Sequence, residues 1–226
     1  MQKTSLIKRI LSYVFPVPVK KLSSQHSGDL FITVENGRLV LNTATVNYSY
    51  HSLHRVFKTA FHQSKLAPHL IQHSLLLGLG GGSIVEILRK DYEIQTPIDA
   101  VELDPQIIRI AINDFGISRY EPLQIIEKDA MDYVHHCSVQ YDLICVDLFI
   151  NDVVPSQFLT VDFFEKLLSL TRNQGSIYFN IMLANPQLIQ AYNQLYQYLI
   201  SRTEPAPVHV SVCEIEETNR VLVISK

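Results

Sequence analysis

Cysteine is scarce in this chain: Cys137, Cys145 and Cys213 make an odd, widely spaced set. Such a set excludes a disulfide framework and fits a reducing compartment, so a cytoplasmic protein is expected. Cys145 lies in the apolar run YDLICVDLF and reads as a small buried hydrophobe. No apolar stretch is long enough for a membrane span. Charge of one sign is also lacking. The formal net charge of −3 argues against nucleic acid as the main partner, which calls for a basic footprint. There is no G-x-S-x-G elbow, no Walker A lysine and no C-x-x-C pair. His51/His54 and His69/His73 have spacings compatible with metal ligands. No cysteine or acid completes a ligand set, so no metal is expected.

Glycine is sparse too, and it is concentrated. Four of the eight glycines fall in LLLGLGGGSIVEIL, at Gly78, Gly80, Gly81 and Gly82. The 226 residues are 47% hydrophobic, enough for one sizeable domain or a domain with a small appendage. The start of the chain is basic, with Lys3, Lys8, Arg9, Lys20 and Lys21. A short amphipathic helix is expected through Ser12, stopped near Pro16 and Pro18. Packing or oligomer contact is the favoured role for it, with weak membrane-surface contact as the alternative. SSQHSG reads as a linker, and residues 1–27 form a basic helix-and-linker segment.

Residues 28–66 read as a small β/α segment. Two β-rich runs flank Glu35-Asn36-Gly37, a hairpin signal, and ATVNY could add a short strand. A helix is expected over 51–63, with Leu53, Val56, Phe57, Ala60 and Phe61 on one side. From residue 67 the chain reads as a Rossmann-like domain. Strands are expected at 74–78, 97–102, 122–127, 141–147 and 175–182. Helices are expected near 82–90, 105–113, 129–136, 160–170 and 186–201. Alternation of this kind implies a doubly wound, mostly parallel sheet. The tail PVHVSVCEIEETNRVLVISK adds an antiparallel hairpin turning at Glu217-Thr218-Asn219, an ending unusual for an NAD domain.

The strand ends carry the chemistry. Gly78, Gly80 and Gly82 lie between a buried strand and a helix, where helix N-terminal amides meet a nucleotide and bare backbone permits close approach. Glu102 ends the next strand twenty residues after Gly82, the offset at which an acid meets ribose hydroxyls. Asp104-Pro105 reads as a cap and first-turn pair. Asp129 ends a third strand, either as an N-cap or as acceptor for an adenine amino group. Asp147 ends a fourth and is the best candidate for a catalytic base.

In this order the motifs resemble the spermidine synthase family, and more closely a spermidine-synthase-like branch. GRLVLNTATVNYSYHSLHRV, LLLGLGGGS, AVELDPQII, EKDAMDY and YDLICVDLFINDVVPSQFLTVDFFEKL with NQGSIYFNIM carry the resemblance. It implies a methyltransferase-like fold of seven strands behind a small N-terminal β segment, and a homodimer. It also implies a ligand such as S-adenosylmethionine, its decarboxylated form or methylthioadenosine. Asp147 would serve as base, with Tyr50 and His51 facing a small acceptor, in the family an amine. Three carboxylates of the family pattern are replaced here, by Gly81, Ile150 and Ser52. Losing them removes partners for ammonium groups and implies poor diamine recognition. Methyl transfer, aminopropyl transfer, spermidine synthesis proper and nucleoside binding without turnover all remain open. An NAD-dependent oxidoreductase is the rival from another class.

Overall fold

The computed structural model describes residues 6–43, 50–149, 153–183, 185–204, 207–215 and 219–226, with the backbone alone for 50–53. A short helix α1 (Leu6–Leu11) precedes strands β1 (Val17–Ser24), β2 (Gly28–Glu35) and β3 (Arg38–Thr43). These strands form an antiparallel sheet in the order β1-β2-β3. The expected hairpin is β2–β3, turned by Asn36 and Gly37, both at positive φ. One difference from the sequence reading concerns residues 17–24, expected as part of the helix-and-linker segment. They form β1, an edge strand whose register slips between Pro18 and Lys20. Proline is tolerated at edges and bulges of this kind, so Pro18 does not stop the strand. The segment ATVNY lies outside the described residues.

Helix α2 (Tyr50–Gln63) leads into the second sheet. Its elements are β4 (Ser74–Leu77), α3 (Ser83–Lys90), β5 (Ile98–Glu102), α4 (Pro105–Ile110), β6 (Leu123–Glu127), α5 (Ala130–His136) and β7 (Tyr141–Val146). They continue through α6 (Val161–Leu170), β8 (Thr171–Met182), α7 (Pro186–Ser201), β9 (His209–Ile215) and β10 (Asn219–Ser225). The order is β6-β5-β4-β7-β8-β10-β9; the first five strands run parallel, and β10 pairs antiparallel with both neighbours. This is the doubly wound sheet with a terminal antiparallel hairpin that the alternation predicts. The expected turn at Glu217 and Thr218 lies outside the described residues.

Strand alternation divides the core into two layers. Leu76, Ala100, Cys145 and Tyr178 point to the face covered by Val56, Phe57 and Phe61 of α2 and Val85 and Leu88 of α3. Leu75, Leu77, Val146 and Phe179 point to the opposite face, against Val134 of α5, Phe163 and Phe164 of α6, and Leu195 and Leu199 of α7. Burying each such side chain contributes about 1.5–3 kcal/mol. The small sheet packs Leu30 and Ile32 on Ile110 of α4, with Ile107 and Phe115 alongside. That contact sets the small sheet over the carboxyl ends of β5 and β6. Chain order reverses between β4 and β7, so a crevice opens beyond their ends.

Candidate functional site

A cavity of about 290 Å³ occupies that crevice. Gly78, Gly80, Gly81, Glu102, Asp129 and Asp147 line it, so the structure brings together six strand-end residues from four strands. Gly82 lies one step behind, as the left-handed N-cap of α3 with φ of 83°. Tyr50 and His51 open α2, and their side chains lie outside the described residues, as does that of Ser52. Ile150 also lies outside them.

The glycine loop is shaped largely by the protein itself. Gly78 has φ of 94°, and a Cβ there would strike the Asp147 carbonyl. Two backbone bonds fix the end of β4 between its neighbours, one to β5 and one from the residue after β7. Gly78 N donates to the Val101 carbonyl at 2.9 Å, and Asp147 N donates to the Leu77 carbonyl at 2.8 Å. A Cβ at Gly82 would meet Ile117. Gly80 alone has open space where its side chain would be, with φ of 51°. That open, left-handed position is the part of the loop that a ligand would fill.

Gly81, where the family pattern has an acid, is backed by an aromatic ring. A Cβ there would lie 3.2 Å from Phe115. Phe115 is brought there by a π-helical turn, Ala111–Phe115, that follows α4 and ends at Gly116 with φ of 66°. Turns of this kind recur at functional sites. With Leu148, Phe149 and Phe158, Phe115 gives the cavity an apolar wall.

Glu102 is tied to the loop. Its Oε2 accepts from Leu79 N at 3.1 Å and Gly80 N at 3.3 Å, and its Oε1 accepts from Asp104 N at 3.0 Å. Burial pushes the Glu102 carboxyl above its ordinary acidity range, and these three amides oppose the shift. Asp104 caps α4 as expected, accepting from Gln106 N at 2.8 Å, with Pro105 in the first turn. It also accepts from the Ser24 and Ser27 hydroxyls, at 2.5 Å each. Burial raises the Asp104 pKa, but the serine and backbone hydrogen bonds outweigh it and hold the group below its ordinary value. Asp129 caps α5, accepting from Asp132 N at 3.0 Å, and lines the cavity.

Asp147 is strongly perturbed. Burial, and secondarily the nearby Glu102 charge, push its pKa from 3.8 to about 7, against a hydrogen bond from Asn180 that lowers it. Asn180 Nδ2 donates to Asp147 Oδ1 at 3.0 Å, and Asn219 Nδ2 donates to Asn180 Oδ1 at 3.2 Å. Both asparagines are buried, on the adjacent strands β8 and β10. The pair fixes one carboxylate oxygen. A carboxyl with this acidity near neutral pH suits proton abstraction.

Sequence reasoning missed several of these residues. Asn180 is a polar residue inside the apolar run IYFNIM, the one signal that could have marked it. Asn219 reads as part of a turn. His26 and Ser27 read as linker, yet they line the cavity from the β1–β2 turn.

The family model described as spermine/spermidine synthase domain matches residues 61–215. Among curated relatives, the eEF1A lysine and N-terminal methyltransferase of Mus musculus is 28% identical over 124 residues, 50% of this chain and 18% of that one. The polyamine aminopropyltransferase of Vibrio vulnificus is 28% identical over 109 residues, 47% of this chain and 36% of that one. The matches therefore span well under half the length of these relatives. Human methyltransferase-like protein 13, solved in complex with SAH, aligns with a TM-score of 0.62 at 22% identity over 76% of this chain and 81% of that one. A probable spermidine synthase from Corynebacterium glutamicum aligns with a TM-score of 0.64 at 19% identity, over 93% and 77%. Likenesses at this identity establish the fold.

Proposed function

The chain belongs to the spermine/spermidine synthase family, and on that premise we propose that it is a transferase for adenosyl sulfonium compounds with Asp147 as its base. S-Adenosylmethionine or its decarboxylated form is the donor, and a methyl or aminopropyl group passes to a small acceptor. The observation that carries this reading is Asp147 itself: a half-buried carboxyl, its pKa pushed up to about 7 by desolvation, lining the cavity beside the glycine loop.

The residues present fit such a donor. Glu102 presents its carboxylate where ribose hydroxyls would be received, and Asp129 stands where an adenine amino group would be met. Gly80 leaves bare backbone for the nucleoside. The sulfonium supplies an activated carbon–sulfur bond, so no metal is needed to make a leaving group. The acceptor's nucleophilic atom bonds to the carbon attached to sulfur. The carbon–sulfur bond breaks and its electron pair stays on the sulfur, now a neutral thioether. The proton lost by the acceptor goes to the free oxygen of Asp147, while Asn180 holds the other oxygen in place. Positioning and deprotonation are then the protein's main tasks. On the family pattern, Tyr50 and His51 are assigned to the acceptor.

Nucleoside binding without turnover is the second reading, favoured by the aromatic ring that backs Gly81 where the family pattern has an acid. A thermal-shift panel with S-adenosylmethionine, decarboxylated S-adenosylmethionine, methylthioadenosine and NADH tests the site. An adenosyl compound at hundredfold excess over its Kd stabilises by about 2.7 kcal/mol. Stabilisation by NADH alone overturns the reading. Stabilisation by adenosyl compounds without turnover across amine and methyl-acceptor panels selects the second one.

A further inference from the structure

Helix α1 has its amphipathic character turned outward. At helical spacing, Leu6, Ile7, Ile10, Leu11 and Val14 share one side, and Lys8, Arg9 and Ser12 share the other. A helix on a globular protein ordinarily turns its apolar side to the core. Here the polar side docks. Ser12 is buried, its carbonyl accepts from Asn36 N at 2.8 Å, and its Oγ accepts from Gly37 N at 2.8 Å. The Tyr13 hydroxyl and the Arg9 guanidinium lie over the same turn: a Cβ at Gly37 would be 2.8 Å from Tyr13 Oη and 3.4 Å from Arg9 Nε. No residue of α1 is buried, and Val14, just beyond it, is 82% exposed. Among the described residues, half of the exposed large hydrophobic side chains fall between Leu6 and Phe15. A cluster of this kind marks an interaction surface.

Charge indicates the occupant. The first 28 residues hold five basic side chains and no acidic one, with Lys20 and Lys21 paired to Asp114 and Asp29, while the whole chain has a net charge of −3, which leaves the remainder at −8. A second copy docking through α1 would bring two basic N-terminal segments side by side. The helix, about 9 Å long at 1.5 Å per residue, also offers far less than the ~800 Å² per partner of a stable interface. Apolar side chains flanked by cations suit the boundary of a bilayer that carries anionic headgroups. We propose that α1 and the turn after it attach this protein reversibly to anionic membrane surfaces. The apolar side chains enter the headgroup boundary, and the acidic remainder of the molecule is held off the surface.

Flotation of the full chain with vesicles tests this. The protein is expected to float with vesicles of phosphatidylcholine containing about one third phosphatidylglycerol, and not with phosphatidylcholine alone. Raising the salt is expected to release it. The double substitution Ile7→Asp with Ile10→Asp is expected to abolish flotation without moving Tm, because both side chains are exposed. Lys8→Ser with Arg9→Ser is expected to weaken binding roughly thirtyfold. Failure of the wild-type chain to float overturns the proposal, as does equal binding to neutral and anionic vesicles. So does light scattering that finds a dimer which the double aspartate variant converts to monomer while the wild-type chain stays off vesicles.

Discussion

Strand β7 carries two aspartates five residues apart, Asp142 near its start and Asp147 just past its end. At the amino edge of the sheet, Asp142 accepts from Gln72 N at 2.8 Å, His73 N at 2.9 Å and Arg172 at 3.0 Å. At the carboxyl edge, Asp147 receives one hydrogen bond among the described residues, from Asn180. The same residue type on the same strand is saturated at one edge and left with capacity at the other. The contrast extends to the neighbours. At the amino edge Asp99 accepts from the buried Tyr141 hydroxyl at 2.8 Å and faces His73 at 3.1 Å. Burial pushes the Tyr141 hydroxyl well above its ordinary acidity range, with Tyr133 and Asp99 adding to the shift. That group stays protonated and holds structure. A partly buried carboxyl with a single donor is harder to ionise than one with three, so the arrangement at Asp147 points to use and that at Asp142 to architecture.

The largest effect is expected from Asp147→Asn. Transfer should fall by about 10²–10⁴, the usual weight of a general base. Stability should move the other way. The folded pKa of about 7 lies above the ordinary 3.8, so between those values the folded chain binds more proton than the unfolded one. Stability contributed by the protonated group is fully present below pH 4 and is lost as pH rises through about 7. At pH 8 the asparagine variant should therefore be more stable by a few kcal/mol, on the order of 2–4. The gap should narrow as pH falls from 7 towards 4. Denaturant titrations at pH 5.5 and pH 8 measure it. In the wild-type chain, activity should rise with pH through about 7 and level off above it.

Asp142→Asn tests the other side of the comparison. It should lower stability by about 1–3 kcal/mol through the lost charged hydrogen bonds, and leave kcat unchanged. A loss of activity at unchanged stability would break the contrast. Asn180→Ala is expected to act more gently on the chemistry. Removing the bond that lowers the Asp147 pKa should move the ascending limb of the pH–rate profile to higher pH. A purely structural role would lower Tm and leave that limb in place.

Much of this architecture is legible in the sequence, because strands buried on both faces read as apolar runs and their ends expose polar residues. LLLGLG places a turn, and AVELD and LICVD place an acid, where the structure has them. Contacts between distant strands are less legible. Gly78 reads as a glycine cleared for a ligand, and its Cβ would instead strike the Asp147 carbonyl. That reason exists only once β4 and β7 are neighbours. Asn180 and Asn219 are far apart in sequence and carry no motif, so their link to Asp147 is a product of strand order. Val17–Ser24 escapes because Pro18 and the paired lysines hide a strand whose partner comes later in the chain. SSQHSG escapes for the same reason: Ser24 and Ser27 gain meaning only against Asp104, some eighty residues on.

The central claim is that the carboxyl edge of this sheet receives an adenosyl sulfonium compound through Glu102. Calorimetric titration of S-adenosylmethionine into the wild-type chain and Glu102→Ala tests it most directly. One-to-one binding to the wild-type chain, weakened roughly 10- to 100-fold in the variant by the loss of charged hydrogen bonds to ribose, is the result predicted. Equal affinity in the two proteins would contradict it.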